Sequence, residues 1–535
     1  MPDWARRNID MFRRLNPDHD IIVHDESALL DCYKQAYQEI EEFCSRSDLV
    51  RYSVLERYGG WYFDTDYLPL RPVDDAERAW NLDGSRLFCT EAWADKSNPG
   101  RIANGVLACG TDCKAWDAVR DEVLNAPDRS RMAFGPLALR RAIERKPGMF
   151  VVGGVQWFHG IRHPWSTMLY DQVAKTGSTE CIRTVAARHT GGQLPYAMHL
   201  WAWKHGEKIG SKTGQKTALV LPHTQPDAGG VWDAVSQGLR GCGFEVTVMQ
   251  CPQSTPTAIE RAGFIPDVAV CWNGRRPEAC LPSFREIESM GVPLLKMELG
   301  FFDRSRHWQI DPAGFSHTAS WCRPELMSRD LSPEQRARLA RFVPRIAPQG
   351  ARASGYVLVI GQVGGDSQML ESSVRTRLAI QDAVNSALPA GMPRYFRPHP
   401  QDTKYANHRM PLMELPPDAG ERYAKNKAGV GLNDALAGAR FVVTINSNAM
   451  TEAMIAGVPC LAFGPSAAIT CGAARQATPE TIKDDIRAMI DGWHPSDEAV
   501  ERYLTHLAGN QYSRDELSDS GIMTSILNRA GVLLG

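Results

Sequence analysis

The sequence holds no Cys-x-x-Cys pair, no apolar run of membrane-spanning length and no excess of either charge, and each absence removes a class of protein. Its thirteen cysteines fall singly, and the nearest two, Cys109 and Cys113, have three residues between them. That spacing builds neither a zinc ribbon nor a small disulfide framework, so reduced thiols of a cytosolic protein are expected. Nowhere do ~18 apolar residues run together, so no segment is expected to span a bilayer and any membrane association is peripheral. The first thirty residues are charged throughout, without the apolar segment of a secretory leader. Sixty basic against 62 acidic residues leave a formal net charge of -2, and no global field draws the chain to nucleic acid. GQVGGD at 361–366 lacks the Gly-Lys-Ser/Thr of a P-loop, which excludes ATP binding of that kind. No short repeat or low-complexity tract is present.

What remains is a 535-residue chain, 43% hydrophobic and 23% charged, long enough for about two to four soluble domains. Nine of its 14 tryptophans precede residue 210, where a ring can pack in a core or stack on a base or sugar. The polar run GEKIGSKTGQK, residues 206–216, reads as a linker closing a first module at 1–205. TALVLP then opens a strand, loop, helix, strand unit ending in FEVTVM, the pattern of a parallel sheet, continued by DVAVCW and PLLKME. This first Rossmann-like half spans 217–326, and a charged, proline-closed helix at 327–353 connects it to a second. From 354 to 535 the alternation restarts with YVLVIGQ, RYFRP, ARFVVTI and PCLAF and ends in terminal helices. The fold class is therefore α/β, a mixed-sheet domain followed by two doubly wound units.

The most informative segment is SDLVRYSVLERYGGWYFDTDYLPLRP. Ser47 is placed to cap a helix that Gly59 and Gly60 stop, and Asp48 and Arg51, three apart, share its face. WYF reads as a short strand with Asp64 and Asp66 at its end, side chains on one side because strand residues alternate. Two such carboxylates repel unless a cation joins them, and hard oxygen ligands suit Mg2+ or Mn2+. That metal would bridge a diphosphate and neutralise charge as it leaves.

These residues resemble the DXD-containing sugar-binding glycosyltransferase family, which includes yeast alpha-1,6-mannosyltransferases and is related to glucosylating clostridial toxins. Asp48, Arg51, Tyr52, Gly59, Gly60, Tyr62, Asp64 and Asp66 match its pattern, and Glu91, Asn104, Gly135, Pro136 and His199 with Trp201 or Trp203 extend it. The resemblance implies a GT-A fold, a nucleoside-diphosphate sugar, a divalent metal and retention at the anomeric carbon. It assigns donor binding to Asp48, Arg51, Tyr62, Asp64, Asn104 and Trp203, and the metal to Asp66 with His199. The family usually opens with a strand before Pro-x-Trp, here Pro2 and Trp4, and this sequence begins after that strand.

In the second half, RPHP places His399 after a strand, and TINSNAM places Ser447 just before a helix. Free backbone N–H groups at a helix start, the Ser447 hydroxyl and a donating His399 together suit a leaving phosphate without metal. MELGFFDRS, Asp311, Gly314, Gln362, Asp366, RPHP, Ser447, Glu452, Gly457 and Pro459 resemble bacterial capsule polysaccharide proteins that transfer beta-Kdo from CMP-Kdo. That resemblance implies a GT-B fold, inversion, no metal cofactor, donor contacts from Gln362, Ser447 and Glu452, and catalysis by His399 and Glu298. The family's Glu-Asp-Gly is Glu298, Leu299, Gly300 here, so if the missing Asp is the general base, either Glu298 replaces it or the acceptor chemistry differs.

The expectation is a bifunctional glycosyltransferase building a surface glycan of capsule or lipopolysaccharide type on the cytoplasmic side, with nucleotide-sugar donors and a glycan or glycolipid acceptor. The first alternative makes the N-terminal module a carbohydrate-holding platform and only the C-terminal module catalytic. A lesser alternative, glycosylation of DNA bases, needs a basic groove with interleaved aromatics, which the balanced charge does not favour.

Overall fold

A computed structural model describes residues 1–92, 102–126, 133–161, 165–200, 214–222, 230–275, 278–350, 352–362, 369–399, 410–411 and 431–532. The chain forms two compact units, a front unit of Met1–Lys216 with Pro256–Ile265 and Ser289–Gly291, and a rear unit holding the remainder. Of the expected linker, only residues 214–216 are described.

The front unit is built on a four-stranded mixed sheet in the order β1-β4-β3-β5, from Gly60–Phe63, Ile102–Cys109, Leu87–Glu91 and Phe150–Gly153. β1 and β3 both run antiparallel to β4, and β5 runs parallel to β3. Two shorter strands, β2 (Tyr67–Pro69) and β6 (Ala197–His199), pair antiparallel beside it. Alternation along the strands divides the apolar residues between two cores. Leu87, Cys89 and Leu107 pack with Leu49, Tyr52 and Leu55 of the Phe43–Tyr58 helix, while Phe88 and Val106 meet Phe12, Tyr67 and Phe158 on the other face.

That helix differs from the expected one at its start. It begins at Phe43, so Ser47 lies inside it rather than capping it, and the Ser47 hydroxyl accepts from the Arg51 guanidinium one turn on, at 3.4 Å. It ends as expected at Gly59, whose φ of 66° a side chain would disfavour.

The rear unit holds two doubly wound sheets. The first has the order β8-β7-β9-β10-β11-β17, from Glu245–Val248, Thr217–Leu221, Val268–Trp272, Leu294–Leu299, His307–Asp311 and Tyr512–Ser513. Its first four strands are parallel, and β11 and β17 complete it antiparallel. The second, β13-β12-β14-β15-β16, is parallel throughout, from Arg394–Arg397, Tyr356–Ile360, Ala439–Thr444, Cys460–Ala462 and Arg475–Gln476. Strands of such sheets are covered on both faces and read as continuous apolar runs, as TALVL and YVLVI do. Val357 and Val359 point into one core of the second sheet, and Leu358 and Ile360 into the other.

Chain order differs from spatial order at the C-terminus. The sequence suggests that everything after 354 belongs to the second half, yet β17 joins the first sheet, and Leu517, Met523, Ile526 and Leu527 fill the first sheet's core beside Val235 and Leu239. Nothing in the local pattern of a helix names the sheet it will cover.

Candidate functional site

Asp48 and Arg51, each 5% exposed, sit on the buried face of the Phe43–Tyr58 helix. Charges buried so deeply must be paired. One guanidinium nitrogen of Arg51 lies 3.1 Å from Asp64 and 3.3 Å from Asp48, and the other donates to the Asn104 carbonyl at 2.7 Å. The Asn104 amide donates to Asp48 at 2.7 Å, and the Tyr62 hydroxyl to Asp64 at 2.9 Å. Five of the residues named from the sequence thus form one network with Arg51 at its centre. Gly135 closes it, since a Cβ there would collide with the Asp48 carboxylate and stand 2.6 Å from the Asn104 amide nitrogen. Within the network, the Asp64 side chain is 29% exposed and reaches the open side.

Asp64 and Asp66 do not share a strand. β1 ends at Phe63, and the Tyr67 N–H donates to the Asp64 carbonyl at 3.1 Å, so the two acids flank a tight turn. Strand alternation therefore does not set their directions. Asp64 turns to Arg51, whereas Asp66 turns to His199, 3.2 Å from carboxylate to Nε2. The His199 ring stacks on Tyr67 with centroids 4.7 Å apart, and the Tyr67 hydroxyl is 2.5 Å from Nε2 of His159. Burial pushes His159 down to about 3, with His199 adding to the fall, so it stays neutral under ordinary conditions.

A hard carboxylate and an imidazole at one spot suit Mg2+ or Mn2+, which keep much of their coordination for phosphate and water. Asp66 and His199 therefore fit as a partial donor set. Among the described residues no three His, Cys, Asp or Glu side chains converge as a metal group, so diphosphate oxygens would have to complete the shell. Trp203 lies outside the described residues, as does Trp201.

Burial pushes the Asp48 carboxyl up to about 6, against the pull of Arg51 and Asn104. A carboxyl held above its unfolded value near 3.9 lends stability below that value and loses it as pH rises through the folded one. From pH 7 to pH 5 the wild-type chain is thus expected to gain about 1 kcal/mol relative to Asp48→Asn. Denaturation of both chains at several pH values measures this; parallel pH profiles would show that Asp48 does not titrate there.

The rear unit carries a cleft at the carboxyl ends of both sheets. Each sheet places its first strand between its second and third, and ligands of open α/β sheets bind where strand order reverses. Glu298, at the end of β10, lines this cleft together with Gln362, Arg397, His399, Ser447 and Glu452. The Glu298 carboxylate accepts from the Asn273 amide at 2.7 Å and from the Leu299 N–H at 3.0 Å. Asn273 has a φ of 61°, a conformation asparagine tolerates better than most residues, and this turns its amide back to Glu298. Ser447 accepts from the Ala449 N–H at 3.3 Å just ahead of the Ala449–Ile455 helix. Gln362 is spent on the scaffold, because its amide group both donates to and accepts from Asn446, at 3.0 and 2.9 Å, tying β12 to β14. Asp311 is spent likewise, accepting the N–H groups of Ala313, Gly314 and Ser320. Asp366 lies outside the described residues.

Burial raises the Glu452 carboxyl, with Arg304 and Arg397 pulling it down, and burial lowers the Arg397 guanidinium. Arg304 also lines the cleft. Carboxylates and two guanidinium groups lining one cleft suit an acid-base step beside an anion.

Residues 2–82 match the family model described as the glycosyltransferase sugar-binding region containing DXD motif. The front unit carries a glycosyltransferase sugar-binding region. By enzyme class the chain is a glycosyltransferase. No curated protein matches it in sequence. Among solved structures it is similar to KpsC beta Kdo 2,4 transferase of Thermosulfurimonas dismutans, at 14% identity over 54% of this chain and 90% of that one, with a TM-score of 0.34. It is also similar to the KpsC beta Kdo 2,7 transferase of the same organism, at 15% over 58% and 100%, TM-score 0.35. A third is Methanocaldococcus jannaschii UDP-GlcNAc 2-epimerase, at 12% over 55% and 100%, TM-score 0.23.

The matched sugar-binding region contains Asp48, Arg51, Tyr62, Asp64 and Asp66, while Asn104, Gly135 and His199 reach the same site from later in the chain. Sequence reasoning passed over Asn273, Arg304 and Arg397. The signal for Arg397 was present in RPHP, a cation at the carboxyl end of a strand, whereas Asn273 announces nothing until its backbone conformation is known.

Proposed function

We propose that the chain is a two-site glycosyltransferase building a surface glycan of capsule or lipopolysaccharide type. The front site takes a nucleoside-diphosphate sugar with Mn2+ or Mg2+ held by Asp66 and His199, and the rear cleft takes a CMP-activated sugar of the Kdo type without metal. The observation that carries the front reading is the buried Arg51 network, which holds Asp64 beside the Asp66–His199 pair within one site.

When bound, the metal supplies charge neutralisation for the departing diphosphate. Asp64, oriented by Arg51 and Tyr62, accepts hydrogen bonds from donor hydroxyls, and the reaction proceeds with retention. In the rear cleft Arg304, Arg397 and His399 surround the leaving phosphate, Ser447 adds a hydroxyl, and Glu298 takes the acceptor's proton with inversion. Two sites on one chain raise the local concentration of the shared glycan intermediate. The acceptor is a glycan or glycolipid, met at the inner face of the membrane.

Nucleotide-sugar hydrolysis by the full chain tests this. Activity with a UDP or GDP sugar is expected only with Mn2+ and is expected to disappear in Asp66→Ala, while CMP raises the melting temperature without metal. Metal-independent binding of CMP with no Mn2+-dependent hydrolysis would leave catalysis to the rear cleft and make the front site a carbohydrate-holding platform. Failure of CMP to stabilise the chain would remove the Kdo-type donor.

A further inference from the structure

The helix Asp3–Leu15 carries four arginines and two aspartates. The acids are used locally, Asp3 lying 3.6 Å from Arg6 and Asp10 3.2 Å from Arg13. Arg7 and Arg14, two turns apart on one stripe, form no ion pair among the described residues. Both line a groove in the front unit that the sugar-binding network does not reach. Its floor is apolar, built from Leu15, Leu68, Leu70 and Val173. Tyr170, 3% exposed, also lines it, and its buried hydroxyl faces the Arg7 guanidinium and has no other partner among the described residues.

The Tyr170 hydroxyl faces a single guanidinium and keeps its own proton to donate, and two exposed cations stand beside an apolar lining with no acid paired to them among the described residues. Both are satisfied by an occupant with a phosphate head and a hydrocarbon stem. We propose that this groove seats the head and upper chain of an anionic lipid and docks the front unit on a membrane surface. The phosphate lies between Arg7 and Arg14 with the Tyr170 hydroxyl donating to it, and the stem lies along Leu68, Leu70 and Val173. A soluble phosphate would leave that floor wet, and a wholly apolar ligand would leave both guanidinium groups uncompensated. No helix of the described residues is long and apolar enough to cross a membrane, so the attachment is by the surface.

Flotation of the full chain with vesicles decides the matter. Wild type is expected to float with phosphatidylcholine vesicles containing a quarter phosphatidylglycerol, and to stay behind with pure phosphatidylcholine. Arg7→Gln with Arg14→Gln is expected to weaken partitioning about 30-fold, at roughly a tenfold change per 1.4 kcal/mol and about 1 kcal/mol per cation. Val173→Asp, checked for an unchanged melting profile, is expected to lose binding with both cations intact. Arg285→Gln with Arg329→Gln, which removes the same charge from exposed positions of the rear unit, is expected to bind as wild type. Equal flotation of wild type on both vesicle types, or undiminished binding by the Arg7/Arg14 variant, would overturn the proposal. So would displacement from the vesicles by millimolar glycerol phosphate, which would assign the groove to a soluble phosphate.

Discussion

Arg51→Ala is expected to destabilise the front unit by about 3–5 kcal/mol, the usual cost of removing one partner from a buried ionic network. Asp48 and Asp64 would then lose the cation between them, and Asp48 has almost no access to water. A loss of that size is a large part of the stability of an ordinary domain. Urea unfolding of the full chain, followed by tryptophan fluorescence, reads it directly, because nine of the 14 tryptophans lie before residue 210. With a slope of about 2 kcal/mol per molar urea, the front transition should move down by roughly 2 M. Arg51→Met combined with Asp48→Asn removes opposite charges together and is expected to recover most of that stability. It should not recover sugar-nucleotide hydrolysis, since Asp64 would still lack its orienting partner. A shift below about 0.5 M for Arg51→Ala would mean that solvent reaches the network and that the acids do not depend on Arg51.

Glu298→Gln is expected to lower rear-site turnover by about 10²- to 10⁴-fold, the range for removing a positioned general base. The substitution keeps the shape and an acceptor for Asn273, so the fold and CMP binding should survive while proton removal fails. Turnover with a CMP-activated sugar, compared with CMP stabilisation of the same variant, separates the two effects. A variant retaining more than about a tenth of wild-type turnover would remove Glu298 from the base position.

Much of the architecture was legible because its causes are local. The apolar runs at 217–221, 356–360 and 439–444 became parallel strands, and the helix stop at Gly59 followed from a residue type that alone accepts that backbone freely. The glycosyltransferase signature was legible as well, since helix, double glycine and paired acids stand together in sequence. Less legible was how the two acids divide their work. A strand reading set them side by side, but the turn after Phe63 gives Asp64 to Arg51 and Asp66 to His199, partners 13 residues before one and 133 after the other. Asn104 and Gly135 were visible as a weak extension of the motif, yet their purpose, holding and covering Asp48, exists only in three dimensions. In the rear unit, Gln362 and Asp311 carry the motif but spend their hydrogen bonds on the scaffold. Arg304 and Arg397 instead supply the positive wall, a role that pattern alone did not separate from ordinary surface charge.

The return of β17 to the edge of the first rear sheet bears on how the chain is made. β7 leaves the ribosome near residue 217, but the strand that finishes its sheet is translated only at residues 512–513. At about 5–20 residues per second, the early half waits roughly 15–60 s with one edge and part of its apolar face unfinished. The nascent chain therefore passes through a long interval as a client for chaperones, and a truncated transcript would release a product that never leaves that condition.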